Sequence, residues 1–375
     1  MSPNPENPRV KATAAVLREI DAPLSIEEIE LTDLQDDEVL VEIKGAGICH
    51  TDATAIDGTV PLPLPTVLGH EGAGVVSAVG ADVTNVAPGD HVVLSFGHCR
   101  ECDICTGGRP AYCELFAPLN YFGTRLDGTT TLQKGEEEIH GNWFQQSSFA
   151  SHAIAKAANT VKVPDDVPIQ LLGPLGCGIQ TGAGTVLKVL RAREGDGIAI
   201  FGLGGVGLSA LMAAKAVGCD PIVAVDTVAS RLELATELGA THVFDPTATK
   251  DLVWDIMQVS APGLNLSFDT VGTETVVRQC LEVLRSPGHA ATVGFQGLEN
   301  NIQIDQGHLM LGRTLSGVIE GDADPQEFIP EMVRMHQEGR FPFDRLIETF
   351  PFERINDAFA ASHEGRVIKP VVVFD

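Results

Sequence analysis

The sequence predicts an α/β chain of two domains, a β-rich unit and an inserted, doubly wound unit built on a parallel sheet. Three observations carry that prediction. The chain has 375 residues and 44% apolar content, more than one hydrophobic core usually organises. Residues 10–160 read as short strands broken by turn residues. From residue 198 onward, strands alternate with helices in the manner of a parallel sheet.

In the first stretch, Glu38-Val39-Leu40-Val41-Glu42-Ile43 alternates, residues 74–80 follow as a second strand, and Pro88-Gly89-Asp90 marks a turn. Residues 114–146 read as a long loop with a hairpin turn at Leu126-Asp127-Gly128-Thr129. Near Pro174 apolar residues begin to recur at helical spacing, and residues 191–195 stop that helix. Ile198-Ala199-Ile200-Phe201 is then a buried strand, 202–207 a glycine-rich turn, 208–217 an apolar helix and 221–226 a strand ending in an acid. Helices at 230–238, 251–259 and 274–284 alternate with strands at 242–244, 266–268 and 290–294. From Asp324 the elements are mixed again, and Val371-Val372-Val373-Phe374 closes the chain.

Charge excludes one class of partner. With 51 acidic against 25 basic residues the formal net charge is −26, whereas phosphate-backbone binding needs a basic face, so no nucleic acid is expected. The acids are spread along the chain, which fits a solvated acidic surface: either an ordinary acidic cytoplasmic enzyme or one adapted to a salty cytoplasm, where counterions screen self-repulsion. Residues 197–214 carry no charge, but their glycines and strand-turn-helix pattern argue against a membrane span. Residues 1–8 lack a basic start and an apolar core and read as a disordered tail, not a signal peptide.

The eight cysteines divide by setting. Cys99, Cys102, Cys105 and Cys113 stand in the run Cys-x-x-Cys-x-x-Cys-x7-Cys, a spacing suited to a closed, structural tetrahedral zinc. Cys49 and Cys177 lie far apart in glycine-containing segments, with His70 between them in Leu68-Gly69-His70-Glu71-Gly72. Two thiolates and an imidazole leave one tetrahedral vertex free, the mark of a catalytic zinc. Cys219 and Cys280 are most simply small buried residues.

Gly202-x-Gly204-x-x-Gly207 follows a strand, opens a helix and precedes an acid, Asp226, at the next strand end, which is the context of a dinucleotide fingerprint. The helix start offers free N–H groups to a pyrophosphate. Asp226 would accept from ribose hydroxyls and repel a 2′-phosphate, favouring NAD over NADP. The alternative is that the glycines merely allow helix–sheet packing and Asp226 caps the next helix.

Gly47-Ile48-Cys49-His50-Thr51-Asp52, Gly69-His70-Glu71-Gly72-Ala73-Gly74, the four-cysteine run and the glycine motif together resemble the zinc-dependent medium-chain alcohol dehydrogenases. Ser95-Phe96-Gly97-His98-Cys99, Pro110-Ala111-Tyr112-Cys113 and Gln146-Ser147-Ser148-Phe149-Ala150 are similar to the aryl (benzyl) alcohol dehydrogenase branch. The resemblance implies a GroES-like catalytic domain over 1–178 and 325–375 and a Rossmann NAD-binding domain over 179–324. It implies two zinc ions per subunit and hydride exchange between a primary, aromatic or medium-chain alcohol and NAD.

Thr51 would relay the hydroxyl proton, Asp52 would hold the His70 ring, and Glu71 would approach the metal during ligand exchange. His50 and Lys369 would reach the pyrophosphate, Arg231 the adenosine ribose and Thr181 and Phe295 the nicotinamide, with Gly205 and Val206 completing the turn. In some relatives a histidine five residues after the first zinc cysteine ends the relay; here Thr54 stands there, so water or His50 would take that role. Phe96, Phe116, Tyr121, Trp143 and Phe149 read either as an apolar substrate slot or as core. Residues 312–320 resemble the edge strand through which relatives pair, so a homodimer or homotetramer is expected. Two other readings fit the same residues: a thiol-adduct enzyme similar to the glutathione-dependent formaldehyde dehydrogenases, and a zinc-stabilised nucleotide-binding protein without catalysis.

Overall fold

A computed structural model describes residues 10–374 of the chain; the expected tail at residues 1–8 lies outside the described residues. The chain divides into two compact units. One comprises residues up to 177, Asp324–Pro330 and the chain from Ile347 onward; the other comprises Gly178–Ala323 and Glu331–Leu346.

The first unit carries β1 (Lys11–Leu17), β2 (Ser25–Leu31), β3 (Glu38–Gly47), β4 (Thr66–Val67), β5 (Gly72–Val79), β6 (His91–Leu94), β7 (Leu132–Lys134), β8 (Glu137–Ile139), β9 (His152–Lys156) and β10 (Thr160–Lys162). Its short helices are α1 (His50–Ile56), α2 (Asp103–Thr106) and α3 (Phe116–Tyr121). The second unit follows with β11 (Ile198–Phe201) to β16, where β12 is Ile222–Val225, β13 His242–Phe244, β14 Leu264–Asp269, β15 Leu284–Thr292 and β16 Arg313–Gly317. Its helices are α4 (Gly178–Gly184), α5 (Gly205–Val217), α6 (Ala229–Leu238), α7 (Leu252–Ser260), α8 (Glu274–Glu282) and α9 (Gln306–Met310). Helix α10 (Pro325–Gln337), β17 (Ile347–Pro351), α11 (Ile355–His363) and β18 (Lys369–Val373) end the chain.

In the first unit β4-β1-β2-β7-β8 form one sheet and β10-β6-β5-β3-β18-β17 another, with β9 also paired to β3. Strand β3 is the backbone of the site: it pairs antiparallel with β5, β9 and β18. The alternation seen in the sequence puts Val39, Val41 and Ile43 in the core. Glu38 at its head is also buried, and is satisfied by Arg125, whose Nε and Nη2 meet its carboxylate oxygens at 2.7 and 2.8 Å. The hairpin in the long loop joins β7 to β8 at Gly135-Glu136, not at residues 126–129 as expected. There Asp127 Oδ1 instead accepts from Thr129 N at 2.9 Å and folds a local turn.

The second unit is a parallel sheet in the order β13-β12-β11-β14-β15-β16, and the strand order reverses beside β11. Strand β15 begins earlier than the expected residue 290, at Leu284; its register against β14 is broken by a bulge between the pairs Leu264↔Leu284 and Leu266↔His289, while Gly288 already pairs with Arg313 of β16. That bulge accommodates Pro287, which has no N–H for a ladder. Residues 331–346 belong with this unit and not with the first, a correction to the expected 325–375 segment. The turn Phe343–Leu346 packs on α5, driven by the fully buried Phe341 and Phe343. Among the described residues no helix is long and apolar enough to cross a membrane; the uncharged stretch at 197–214 is β11, its turn and most of α5.

Candidate active site

Three separate segments converge on one largely buried point of the first unit. One ligand atom from each of Cys49, His70, Glu71 and Cys177 lies within 4.8 Å of every other. Cys49 is the N-cap of α1, where the helix start favours thiolate. His70 and Glu71 immediately precede β5, whose Gly72 pairs with Ala46 of β3. Cys177 follows Gly176, where a Cβ would stand 2.0 Å from Leu94 O, and Ser95 Oγ donates to Gly176 O at 2.6 Å. Only glycine therefore lets the chain reach the end of β6. Gly47 is tightly enclosed as well, since a Cβ there would meet Glu71 Oε2 at 2.1 Å, a carboxylate that Lys369 holds in place.

Asp52 is the hub of the polar frame and is fully buried. Its Oδ1 meets His70 Nδ1 at 2.9 Å, Trp143 Nε1 at 3.0 Å and Gly69 N at 3.1 Å, while Oδ2 accepts from Cys49 N at 3.3 Å. His70 Nε2 is buried without a hydrogen-bond partner. Lys369, the first residue of β18, is 5% exposed; its Nζ donates to both Glu71 oxygens at 2.9 Å and to Ile48 O at 3.1 Å.

The electrostatics follow from that geometry. The Cys49 thiol falls well below the ordinary range, through its hydrogen bond with Cys177 first and against burial, with His70 and Lys369 helping. Burial would strip the proton from His70, but the charges of Asp52 and Cys49 outweigh it and raise the ring well above the usual histidine value. Burial raises Glu71 against the pull of Lys369. It would lower Lys369, yet Glu71 and Cys49 hold that ammonium above its ordinary value. Thiolates, a carboxylate and an orphaned imidazole nitrogen form a set that calls for a cation, and the proton drawn to His70 is what a divalent metal would replace. The donor chemistry fits zinc.

Thr51 Oγ1 lies 3.8 Å from Cys49 Sγ. Thr54 is buried and its hydroxyl is spent on Thr51 O at 2.9 Å, whereas His50 is exposed. Of the aromatic residues singled out in the sequence, Phe96, Trp143 and Phe149 are core, and Phe116 and Tyr121 are half-buried against it. Phe144 was not singled out. Its ring stacks on His70 with centroids 4.4 Å apart and planes at 23°.

The four-cysteine lobe is a second ligand cluster, again with its four sulfurs within 4.8 Å of one another. Backbone amides of Glu101 and Cys102 donate to Cys99 Sγ at 3.4 and 3.3 Å, and those of Cys99 and Leu115 donate to Cys113 Sγ at 3.4 Å. The Cys102 thiol falls to about 6, through the amides of Glu114 and Cys105. Cys219 and Cys280 are buried, and burial raises both thiols, Cys219 to about 11.

In the second unit the glycine turn joins β11 to α5. Gly202 has φ +86°, and a Cβ on Gly207 would stand 1.8 Å from Gly202 O, whereas one on Gly204 would meet nothing within 4 Å. The turn is thus closed on one side and open on the other, as a backbone that receives a pyrophosphate must be. Asp226 follows β12 and is 8% exposed. It accepts from Leu203 N at 2.7 Å and Val228 N at 2.9 Å, which braces the turn, and Arg231 stands 3.8 Å away. Thr181 is buried in α4, and Phe295, beyond the end of β15, is 41% exposed.

Comparison with known proteins agrees with both units. The family model for the alcohol dehydrogenase GroES-like domain matches residues 35–165, and that for zinc-binding dehydrogenases matches residues 205–338. The chain is 46% identical to geraniol dehydrogenase of Castellaniella defragrans over 367 residues, covering 97% of this chain and 98% of that protein. A solved alcohol dehydrogenase zinc-binding domain protein from Burkholderia ambifaria superposes with a TM-score of 0.96 at 46% identity, over 98% of this chain and all of that one. Benzyl alcohol dehydrogenase from Acinetobacter calcoaceticus superposes with a TM-score of 0.94 at 43% identity, over 98% of this chain and 100% of that chain.

Proposed function

We propose, from the premise that this chain belongs to the zinc-dependent medium-chain alcohol dehydrogenases and is an alcohol oxidoreductase, that it interconverts primary alcohols bearing an adjacent double bond or aryl ring with their aldehydes, using NAD. The observation that carries this reading is the convergent Cys49, His70 and Cys177 set, with His70 and Cys177 buried, Cys49 partly so and His70 Nε2 orphaned, in a chain whose relatives include a geraniol and a benzyl alcohol dehydrogenase. Both named substrates are primary alcohols next to a π system. Phe144 on His70 and the adjoining Tyr121, ring centroids 5.5 Å apart, supply aromatic surface that suits such a group.

When bound, zinc supplies a Lewis acid for the alcohol oxygen and nicotinamide a hydride acceptor. Cys49, His70 and Cys177 would hold the metal, and Cys99, Cys102, Cys105 and Cys113 a second, structural one. Asp52 keeps the proton of His70 on Nδ1, leaving Nε2 free to ligate. Lys369 holds both oxygens of Glu71 and so restrains that carboxylate from the ligand set. Thr51 Oγ1 would accept the substrate's hydroxyl proton while releasing its own, and exposed His50, the preceding residue, or water would take up the released proton. Thr54 takes no part, since its hydroxyl is committed to Thr51 O.

The NAD assignment rests on Asp226. Its carboxylate would lose charge-assisted hydrogen bonds to a 2′-phosphate and repel it, while Arg231 is already matched by the same acid. Self-association is supported by β16 at the sheet edge, with Leu309, Met310 and Leu311 45%, 78% and 61% exposed nearby. Steady-state rates with geraniol, benzyl alcohol, ethanol and the glutathione–formaldehyde adduct, each with NAD and NADP, test the whole reading. The expected order puts the two π-conjugated alcohols with NAD first; highest activity with the adduct would displace it in favour of the formaldehyde-dehydrogenase reading. In the same assay Asp226→Gly should move the NAD:NADP ratio of kcat/KM toward NADP by about tenfold, the equivalent of one charge-assisted contact.

A further inference from the structure

We propose that Trp143 is a positioning residue for the metal-ligand ring of His70, acting through Asp52, and that the left-handed segment 142–147 is the device that holds it there. The proposal rests on the reading that Cys49, His70 and Cys177 take zinc. Asp52 Oδ1 is shared by His70 Nδ1 at 2.9 Å and Trp143 Nε1 at 3.0 Å, and all three side chains are almost wholly buried. A carboxylate turns easily about its last torsion. The indole, itself immobilised by packing against Tyr121 and Phe144, fixes the plane of Asp52, and Asp52 in turn fixes the plane and tautomer of His70.

The same segment takes hold of His70 in two further ways. Phe144 stacks on its ring at 4.4 Å. Gln146 donates from Nε2 to His70 O at 2.9 Å and accepts at Oε1 from Gly72 N at 3.0 Å, tying the backbone on both sides of Glu71. In a helix or strand, consecutive side chains point about 100° or 180° apart, so neighbours such as Trp143 and Phe144 could not both address one histidine. Here they do, because Asn142, Phe144, Gln145 and Ser147 have φ of +64°, +50°, +53° and +50°.

Non-glycine residues persist in that region only where their surroundings over-determine them, and such runs gather at functional sites. The bonds that impose it are visible. Asn142 Nδ2 donates to Thr124 O at 2.9 Å, Trp143 N to Ser147 Oγ at 2.9 Å, Ser147 Oγ to Val67 O at 2.7 Å, and Asn159 Nδ2 to Phe144 O at 3.3 Å.

The test is metal release from the purified protein into a chelator, with the four-cysteine metal as internal reference. Trp143→Phe removes the indole N–H and keeps a buried ring. It should release the Cys49–His70–Cys177 metal about tenfold faster than wild type, the scale on which outer partners of ligating histidines act, with release from the four cysteines unchanged. In protein reloaded with cobalt(II), its visible absorption bands should shift. Phe144→Leu should accelerate release less, since it removes only the stacked face. Wild-type release rates and an unchanged cobalt spectrum in Trp143→Phe overturn the proposal. If Trp143→Phe loses its fold and both metals together, Phe144→Leu decides: selective release supports the idea and wild-type release ends it. Wild-type protein with metal only at the four cysteines would instead remove the reading beneath it.

Discussion

In the four-cysteine lobe the ligands lie within residues 99–113, and backbone amides from that same stretch and Leu115 donate to the sulfurs of Cys99 and Cys113. At the Cys49 centre, by contrast, the clustered residues come from three remote segments; of their partners, Asp52 sits on the helix that Cys49 caps, while Trp143, Gln146 and Lys369 are side chains from further parts of the same unit. The difference is one of exposure as well. Three of the four lobe cysteines, Cys99, Cys102 and Cys105, are partly open and Cys113 is buried, whereas at the other centre His70, Glu71 and Cys177 are buried and Cys49 alone is partly open. A local, amide-capped thiolate cluster needs little from the rest of the fold. On the proposed reading, in which the Cys49 centre keeps one vertex open, its neighbours must be placed by tertiary structure, as a catalytic metal requires and a structural one does not.

The sharpest way to break that contrast is to remove one ligand from each cluster. Cys49→Ser should lower kcat/KM by about three orders of magnitude or more, the loss of several kcal/mol of transition-state charge stabilisation. Its bound metal should fall by half, with the melting temperature little changed. Cys102→Ala should do the reverse, lowering the melting temperature by about 5 °C or more, at roughly 2–4 °C per kcal/mol for a domain of this size, and leaving early-time activity largely intact. Metal analysis, thermal melts and initial rates on the two proteins check both. Equal activity losses in the two variants would show that the clusters do not divide the work.

The contrast also explains what the sequence revealed. The cysteine lobe, the glycine turn and Asp226 were legible because each is a short motif whose chemistry is complete within a local spacing. The ligand set of the buried centre could be nominated from its glycine-flanked segments, and the family resemblance added Asp52 as the partner of His70. Phe144 gave no signal, since left-handed backbone at Phe, Gln and Ser is imposed by distant hydrogen bonds and not by composition. Lys369 was assigned to a pyrophosphate, and its bond to Glu71 appears only once β18 is laid beside β3 at the pair Val371↔Gly47. The attachment of residues 331–346 to the second unit was hidden for the same reason: buried phenylalanines do not say which core they join.

The smallest expected effect lies outside both clusters, on the sheet that joins β1, β2, β7 and β8. Arg18 pairs Nε and Nη2 with both oxygens of Glu27 at 2.9 and 2.7 Å and Nη1 with Glu137 at 2.6 Å, while Lys134 also reaches Glu27 at 2.7 Å. The Arg18 hydrogen bond, with help from Lys134 and Ser25 and against some burial, holds Glu27 well below the usual carboxylate range. A carboxylate with a depressed folded pKa contributes its full stability above its unfolded value, here 4.5, and loses it as the pH falls through the lower folded value. Arg18 is about one-third exposed, so solvent screening limits the contribution to about 1 kcal/mol. Arg18→Ala should therefore be less stable than wild type by about that amount at pH 7 in urea melts, and the gap should narrow as the pH drops below 4.5. A gap that stays constant into acid would mean that Arg18 acts through packing of its stem and not through charge. Because neither metal cluster touches this network, metal content should not move in the variant, and a change there would tie even the outer sheet to the buried centre.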